Sequence, residues 1–151
     1  MVEKLKKILI IDDELSIRAT LKEILEFEKY LVETAQDGIE GYKMAEEKNF
    51  DLIFCDIKMP KIDGIETLKK IVENNILSPV IMISGHGDIE TAVQTLKIGA
   101  FDYIEKPLDL NRVLTCVRNA LNNDHLKKEN TILKRKIKSK SEIIGQSPEI
   151  K

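Results

Sequence analysis

Five short apolar runs mark the chain, at residues 7–11 (KILII), 30–35 (YLVETA), 50–55 (FDLIFC), 79–84 (PVIMIS) and 100–104 (AFDYI). Each has the length of a strand and is flanked by turn-forming or acidic residues. The runs at 50–55 and 79–84 are apolar almost throughout, which predicts strands buried on both faces of a parallel sheet. Between the runs the period changes. Ile17, Leu21, Ile24 and Leu25 recur at helical spacing, with Arg18, Lys22, Glu23 and Glu26 on the other side. Gln36-Asp37-Gly38 turns into a helix over about 39–48, residues 65–72 (IETLKKIV) form another that closes at Asn74-Asn75, and 89–98 a fourth. A fifth starts near Leu110, with Val113, Leu114, Val117 and Leu121 on one face. Strand and helix alternate five times, which predicts an α/β fold with a parallel sheet covered by helices on both faces. Right-handed crossovers then bring the carboxyl ends of all strands to one edge. Asp12, Asp13, Asp56, Ser84 and Lys106 each fall at such an end.

Composition narrows the class. Hydrophobic residues at 42% and charged residues at 33% describe a soluble globular protein, and 151 residues hold one domain with a full core plus a tail. No apolar run reaches the roughly 20 residues needed to cross a bilayer, and Met1-Val2-Glu3-Lys4-Leu5 lacks the apolar core of a signal peptide. The expected compartment is the cytoplasm, with no membrane partner. Cys55 lies in an apolar strand and Cys116 in a helical pattern, neither at a metal-like spacing, so both are expected to be reduced core thiols. The net charge of −2 divides unevenly, because residues 127–140 carry seven basic residues and one acid, leaving −8 on the remainder. An acidic body argues against non-specific nucleic-acid binding, and the basic tail reads as a solvated surface.

The strand ends carry the candidate chemistry. Asp12-Asp13-Glu14 places three acids together, where repulsion makes a cation a natural resident, although acids also suit the first turn of a helix. Asp56 either caps the following helix or faces the active edge, and the convergence of five strand ends favours the edge. Ser84-Gly85-His86-Gly87-Asp88 forms a second loop there, with backbone free to approach a ligand and Asp88 able to cap the helix at 89–98. Three carboxylates with room for water suit Mg²⁺, and Mg²⁺ implies phosphate. A phosphoryl group at this edge would meet a carboxylate nucleophile in Asp56, the ammonium of Lys106 and the hydroxyl of Ser84. The product would be an aspartyl phosphate.

Together, Asp12-Asp13, the aspartate of DIKMPKIDG, Ser84-Gly85 and Lys106-Pro107 resemble the receiver domain of two-component response regulators, roughly from Lys6 to Leu121, which implies a receiver domain over residues 1–122. The resemblance implies a flavodoxin-like, doubly wound five-stranded sheet in the order 2-1-3-4-5, followed by a helical linker. It implies that Asp56 takes a phosphoryl group from a histidine kinase, and that the chain is a phosphoacceptor switch assisting its own phosphorylation and dephosphorylation rather than an ordinary enzyme. By the same resemblance Asp13, Asp56 and the backbone carbonyl of Lys58 ligate Mg²⁺, with Asp12 acting through water. Ser84 and Lys106 would contact the phosphoryl oxygens, Tyr103 would turn inward when Ser84 moves, and the Lys106-Pro107 bond would be cis. His86 would sit near the phosphate and tune hydrolysis, and His125 would be surface. Two other classes compete: a haloacid-dehalogenase-like phosphotransferase needs an acid two residues after the nucleophile, where Lys58 stands, and an FMN carrier would set its phosphate against Asp12-Asp13-Glu14.

Beyond the fifth helix Leu126, Asn130, Leu133 and Ile137 are spaced as a heptad seam with one polar core position, which predicts a dimer coil in a linker over 123–141. Residues 142–151 (EIIGQSPEIK) resemble the start of the ATPase module of NtrC-type sigma-54-dependent activators. That resemblance implies a piece of a longer, homodimeric regulator that meets DNA and sigma-54 RNA polymerase through domains absent from this chain.

Overall fold

The computed structural model describes residues 5–59, 61–85 and 88–122. The chain divides into two units, Met1–Leu121 and Asn122–Lys151. In the first, β1 (Lys7–Ile11), β2 (Leu31–Ala35), β3 (Leu52–Asp56), β4 (Val80–Ser84) and β5 (Asp102–Glu105) form one sheet in the order β2-β1-β3-β4-β5. Every neighbouring pair is parallel. The connecting helices are α1 (Leu15–Phe27), α2 (Gly38–Glu47), α3 (Gly64–Glu73) and α4 (Ile89–Ile98), with α5 over residues 110–122. This is the flavodoxin-like order expected above. Among the described residues no helix is long and apolar enough to cross a membrane.

Alternation along the strands divides the core into two layers. Leu9, Ile11, Ile53, Cys55 and Met82 pack with Leu68 and Ile71 of α3 and Ala92 of α4. Ile8, Ile10, Leu52, Phe54, Ile81 and Ile83 pack on the other side with Leu21 and Leu25 of α1 and Val113 and Val117 of α5. With helices on both faces the central strands have no polar side, which is why β1, β3 and β4 read as unbroken apolar runs. Both cysteines are buried and free. Burial pushes both thiols up, Cys116 to about 11 with the Asp102 carboxylate adding to it.

Boundaries differ from expectation where loops take over backbone bonds. β3 starts at Leu52 and includes Asp56, because Asp51 is held at the strand entrance by Lys7, whose N–H donates to Asp51 Oδ2 at 2.8 Å. β5 starts two residues late, since the Ala100 N–H donates to Thr95 O at 2.9 Å and Gly99 takes φ 148°, both completing the end of α4. In α5 the buried positions are Val113, Cys116, Val117 and Ala120, while Leu114 and Leu121 are half-buried. Cys116 and Ala120 complete the spacing of 3, 1 and 3 on the core face. The acids at 12–14 precede α1 rather than lining its first turn, Glu14 being the N-cap residue.

Asp63, not Asp56, caps α3, accepting from the Glu66 N–H at 2.9 Å. Gly64 lets that helix start against the end of β3: a β-carbon there would lie 2.0 Å from the Asp56 carbonyl oxygen. Gly64→Ala is therefore expected to destabilise the fold by about 2–3 kcal/mol, read as a lowered urea midpoint. A midpoint equal to the parent's would mean that the turn before α3 can yield.

Candidate functional site

The register of the central strands sets the site. Ile11 pairs with Cys55 and Asp56 with Ile83, so Asp12 and Asp56 leave the sheet side by side next to the end of β4. Ser84 pairs with Glu105, and the Lys106 N–H donates to Ser84 O at 2.8 Å, which fixes the start of the next loop at the same edge. The Lys106-Pro107 bond is cis. The Lys106 ammonium lies 3.5 Å from Asp56 Oδ2 and 3.8 Å from Asp12 Oδ2, and it donates to Glu14 Oε1.

Asp12 is fully buried and Asp56 is 3% exposed, whereas Asp13 is exposed. Carboxylate oxygens of the three lie within 4.8 Å of one another. The main chain and one oxygen of Asp12 are pinned: its N–H donates to Ala35 O, its carbonyl accepts from Arg18, and Oδ1 accepts from the Glu14 N–H. Oδ2 has no hydrogen-bond partner among the described residues. Burial pushes the Asp12 carboxyl up against the opposing Glu14 hydrogen bond. Asp56 is pushed up to about 7, by burial first and by Asp12 second, with Lys106 opposing. For Lys106 burial acts downward, but the Glu14 hydrogen bond and the charges of Asp12 and Asp56 prevail and the ammonium is held above its ordinary range. An orphaned buried carboxylate oxygen among three crowded acids is what a hard, oxygen-seeking cation would satisfy. The donor set fits Mg²⁺.

A cleft of about 290 Å³ opens over these groups, lined by Asp13, Glu14, Asp56, Lys58, Gly85, Asp88 and Lys106. Ser84 stands at the edge as expected, but it is buried and its hydroxyl is turned to Ile104 O at 3.4 Å. Tyr103 is half-buried against the α3 and α4 side of the core, and its carbonyl accepts from Arg112. Lys58 is exposed and pairs with Asp88 at 3.3 Å. Asp88 occupies the N-cap position of α4, yet its side chain makes no capping bond there, contrary to expectation. Two partnerships had no local signal in the sequence: Glu14 with Lys106, 92 positions away, and Lys58 with Asp88. His86, His125 and the linker residues Leu126, Asn130, Leu133 and Ile137 lie outside the described residues.

The family model for the response regulator receiver domain matches residues 8–118. Over 142 residues the chain is 39% identical to a response regulator of Rickettsia bellii described as NtrX-like, covering 93% of this chain and 30% of the relative. It is 40% identical over 114 residues to the transcriptional regulatory protein ZraR of Klebsiella oxytoca, covering 76% and 26%. Among solved structures, NtrX from Brucella abortus matches with a TM-score of 0.79 at 36% identity, over 86% of this chain and 30% of that one. A response regulator receiver domain protein from Clostridium thermocellum matches with a TM-score of 0.76 at 36% identity, over 81% and 98%. The chain thus spans 30% or less of the length of these curated relatives.

The buried carboxyl of Asp56 predicts a pH-dependent stability. Its folded pKa of about 7 lies above its unfolded value, so its contribution is full below about pH 4 and is lost as pH rises through about 7. Asp56→Asn removes that loss and is expected to be more stable than the parent by on the order of 2–4 kcal/mol at pH 8, the gap closing towards pH 4. Urea denaturation across that range checks it; a gap independent of pH would refute the assignment.

Proposed function

The chain belongs to the response regulator receiver family, and we propose that Asp56 is its phosphoacceptor, taking a phosphoryl group from the phosphohistidine of a sensor kinase. Receiver domains are phosphoacceptor switches that histidine kinases phosphorylate. The observation that carries the reading here is the buried Asp56 carboxylate at the end of the central strand, 3.5 Å from the Lys106 ammonium and beside two further aspartates. A carboxylate oxygen of Asp56 attacks phosphorus as the bond to the kinase imidazole breaks, and hydrolysis of the acyl phosphate restores the carboxylate. Bound Mg²⁺, held by Asp13, Asp56 and the Lys58 carbonyl with Asp12 acting through water, would draw the carboxyls into their ionised form and neutralise phosphoryl oxygens.

The protein's own groups then rearrange. Lys106 leaves Glu14 for a phosphoryl oxygen, and the Ser84 hydroxyl turns from Ile104 O toward the same group. Tyr103 moves inward into the space that Ser84 vacates. The haloacid-dehalogenase-like alternative gains no support, since the position where it needs an acid is Lys58, engaged with Asp88.

The length of the relatives, one of them described as a transcriptional regulatory protein, supports a wider reading. Residues 1–122 are the receiver, 123–141 a dimerising linker, and 142–151 the start of an ATPase module of the NtrC type. On that reading the homodimer reaches DNA and sigma-54 RNA polymerase through domains beyond these.

Acetyl phosphate with Mg²⁺ is expected to add one phosphoryl group per chain, and Asp56→Asn or EDTA to abolish it. Intact-mass spectra showing undiminished labelling of the variant would overturn the acceptor assignment. Sedimentation tests the linker: residues 1–122 are expected to dimerise more weakly than the full chain, and Leu133→Asp to weaken the full-length dimer. Equal dimerisation of the short and full chains would place the interface in the receiver.

A further inference from the structure

Four aspartates stand at helix N-caps, and one behaves differently. Asp109 before α5 accepts from the Arg112 N–H at 2.9 Å, and two of the others do the same. Asp37 and Asp63 have extended backbone, with ψ of 172° and 177°, and each accepts from the N–H three residues on, that of Glu40 or Glu66. Asp88 holds the same position before α4 with φ −102° and ψ 29°, and among the described residues its carboxylate caps nothing. Instead Oδ1 lies 3.3 Å from Lys58 Nζ, on the loop after β3. Oδ2 lies over Gly85, where a β-carbon would come within 3.0 Å of it, so the bare glycine leaves room for this placement. Lys58, Gly85 and Asp88 all line the cleft above Asp56.

The two uses of that carboxylate compete. An exposed ion pair contributes little, and the Lys58 side chain is 77% exposed. Capping satisfies an orphan N–H and compensates the positive end of the helix dipole. It needs the extended backbone of Asp37 and Asp63, however, whereas Asp88 rests at ψ 29°, and that backbone change offsets the gain so that the two uses stay close in free energy. The cleft's contents therefore decide between them. A phosphoryl group on Asp56 puts about two negative charges where the bare carboxylate holds one, farther out in a cleft lined by both partners. It attracts the Lys58 ammonium and repels the Asp88 carboxylate, and both forces break the pair. The amino-terminal end of α4, carrying Asp88 itself, is then the nearest favourable place for the freed carboxylate.

We propose that Asp88 is a two-position residue that couples the cleft to α4: paired with Lys58 when no phosphoryl group is present, and capping the Thr91 N–H when one is. Lys58 correspondingly passes from Asp88 to the phosphoryl oxygens and becomes a positioning residue for them. The proposal rests on the phosphoacceptor reading for its trigger alone; the competition between pair and cap stands without it.

Residue-resolved amide exchange of Thr91 in the full chain, followed by NMR at neutral pH, separates the two. Asparagine caps as well as aspartate but forms no ion pair. Without ligand, Asp88→Asn and Lys58→Met are each expected to slow Thr91 exchange about fivefold, and Asp88→Ala to give no slowing. In the parent, Mg²⁺ with beryllofluoride is expected to produce a similar slowing, which Asp88→Ala loses. Parent-like exchange in ligand-free Asp88→Asn and Lys58→Met would overturn the two-position behaviour whatever the cleft binds. If acetyl phosphate labels Asp56 but beryllofluoride leaves parental Thr91 unchanged, the coupling is overturned. If Asp56 is not labelled, the phosphoacceptor reading and the trigger fall, while slowing in the two ligand-free variants still establishes the competition.

Discussion

The carboxylates of Asp12 and Asp56 are held out of water at the ends of adjacent central strands, and the site depends on the strain of that placement. Burial disfavours both charges; Asp12 raises the proton affinity of Asp56, and Asp13 and Glu14 raise that of Asp12. Lys106 is the ammonium placed against them, and it is shared with Glu14. Its single charge cannot neutralise Asp12, Asp56 and Glu14 together, so the cleft keeps an excess of negative charge and a buried oxygen without a partner. The imbalance is chemically directed. It favours a small divalent cation, and one held there would change the edge from a site that repels phosphate into one that can accept it.

Such a site needs a scaffold that cannot relax by moving the charges apart. The two apolar layers supply it, because each central strand is packed on both faces and hydrogen-bonded on both edges. That rigidity is also what made the fold legible. Unbroken apolar runs at β1, β3 and β4 follow from burial on both faces, and right-handed crossovers force their ends to one edge. Hence Asp12, Asp13, Asp56, Ser84 and Lys106 were identifiable from position alone. The edge strand β5 was misplaced by two residues because an apolar Ala100 looks like strand, whereas its N–H closes α4. On α5 Val113 and Val117 are buried and Leu121 packs against the same layer as expected, but the smaller Cys116 and Ala120 are buried there while the more hydrophobic Leu114 is not. Hydrophobicity ranks residues, but close packing selects among them by size.

What sequence could not supply was the pairing of charges across loops. Asp37, Asp63, Asp88 and Asp109 each directly precede a helix, and three of the four cap it. Asp88 is diverted by Lys58, whose nearness exists only once the sheet has brought two loops together. Glu14 and Lys106 are the same case. Long-range ion pairs leave no local trace, because exposed charge is common everywhere on a surface and its partner is set by topology.

These pairs divide the site into a fixed part and a movable part. Asp12, Asp56 and Ser84 are buried at the sheet edge. Glu14, Lys58, Asp88 and Lys106 stand on the loops beyond the strands, and Glu14 and Lys58 are largely exposed. The loop after β3 is itself anchored at its far end, where Lys61 takes a positive φ of 71° with its ammonium 3.3 Å from Asp37, and Asp63 caps α3. On the proposed reading, a charge arriving on Asp56 meets buried carboxylates held by the sheet and exposed counter-charges that can change partners, so its electrostatic work goes into exchanging partners rather than into loosening the core. On that reading one small group at a sheet edge acts on a helix while the two packed layers stay folded.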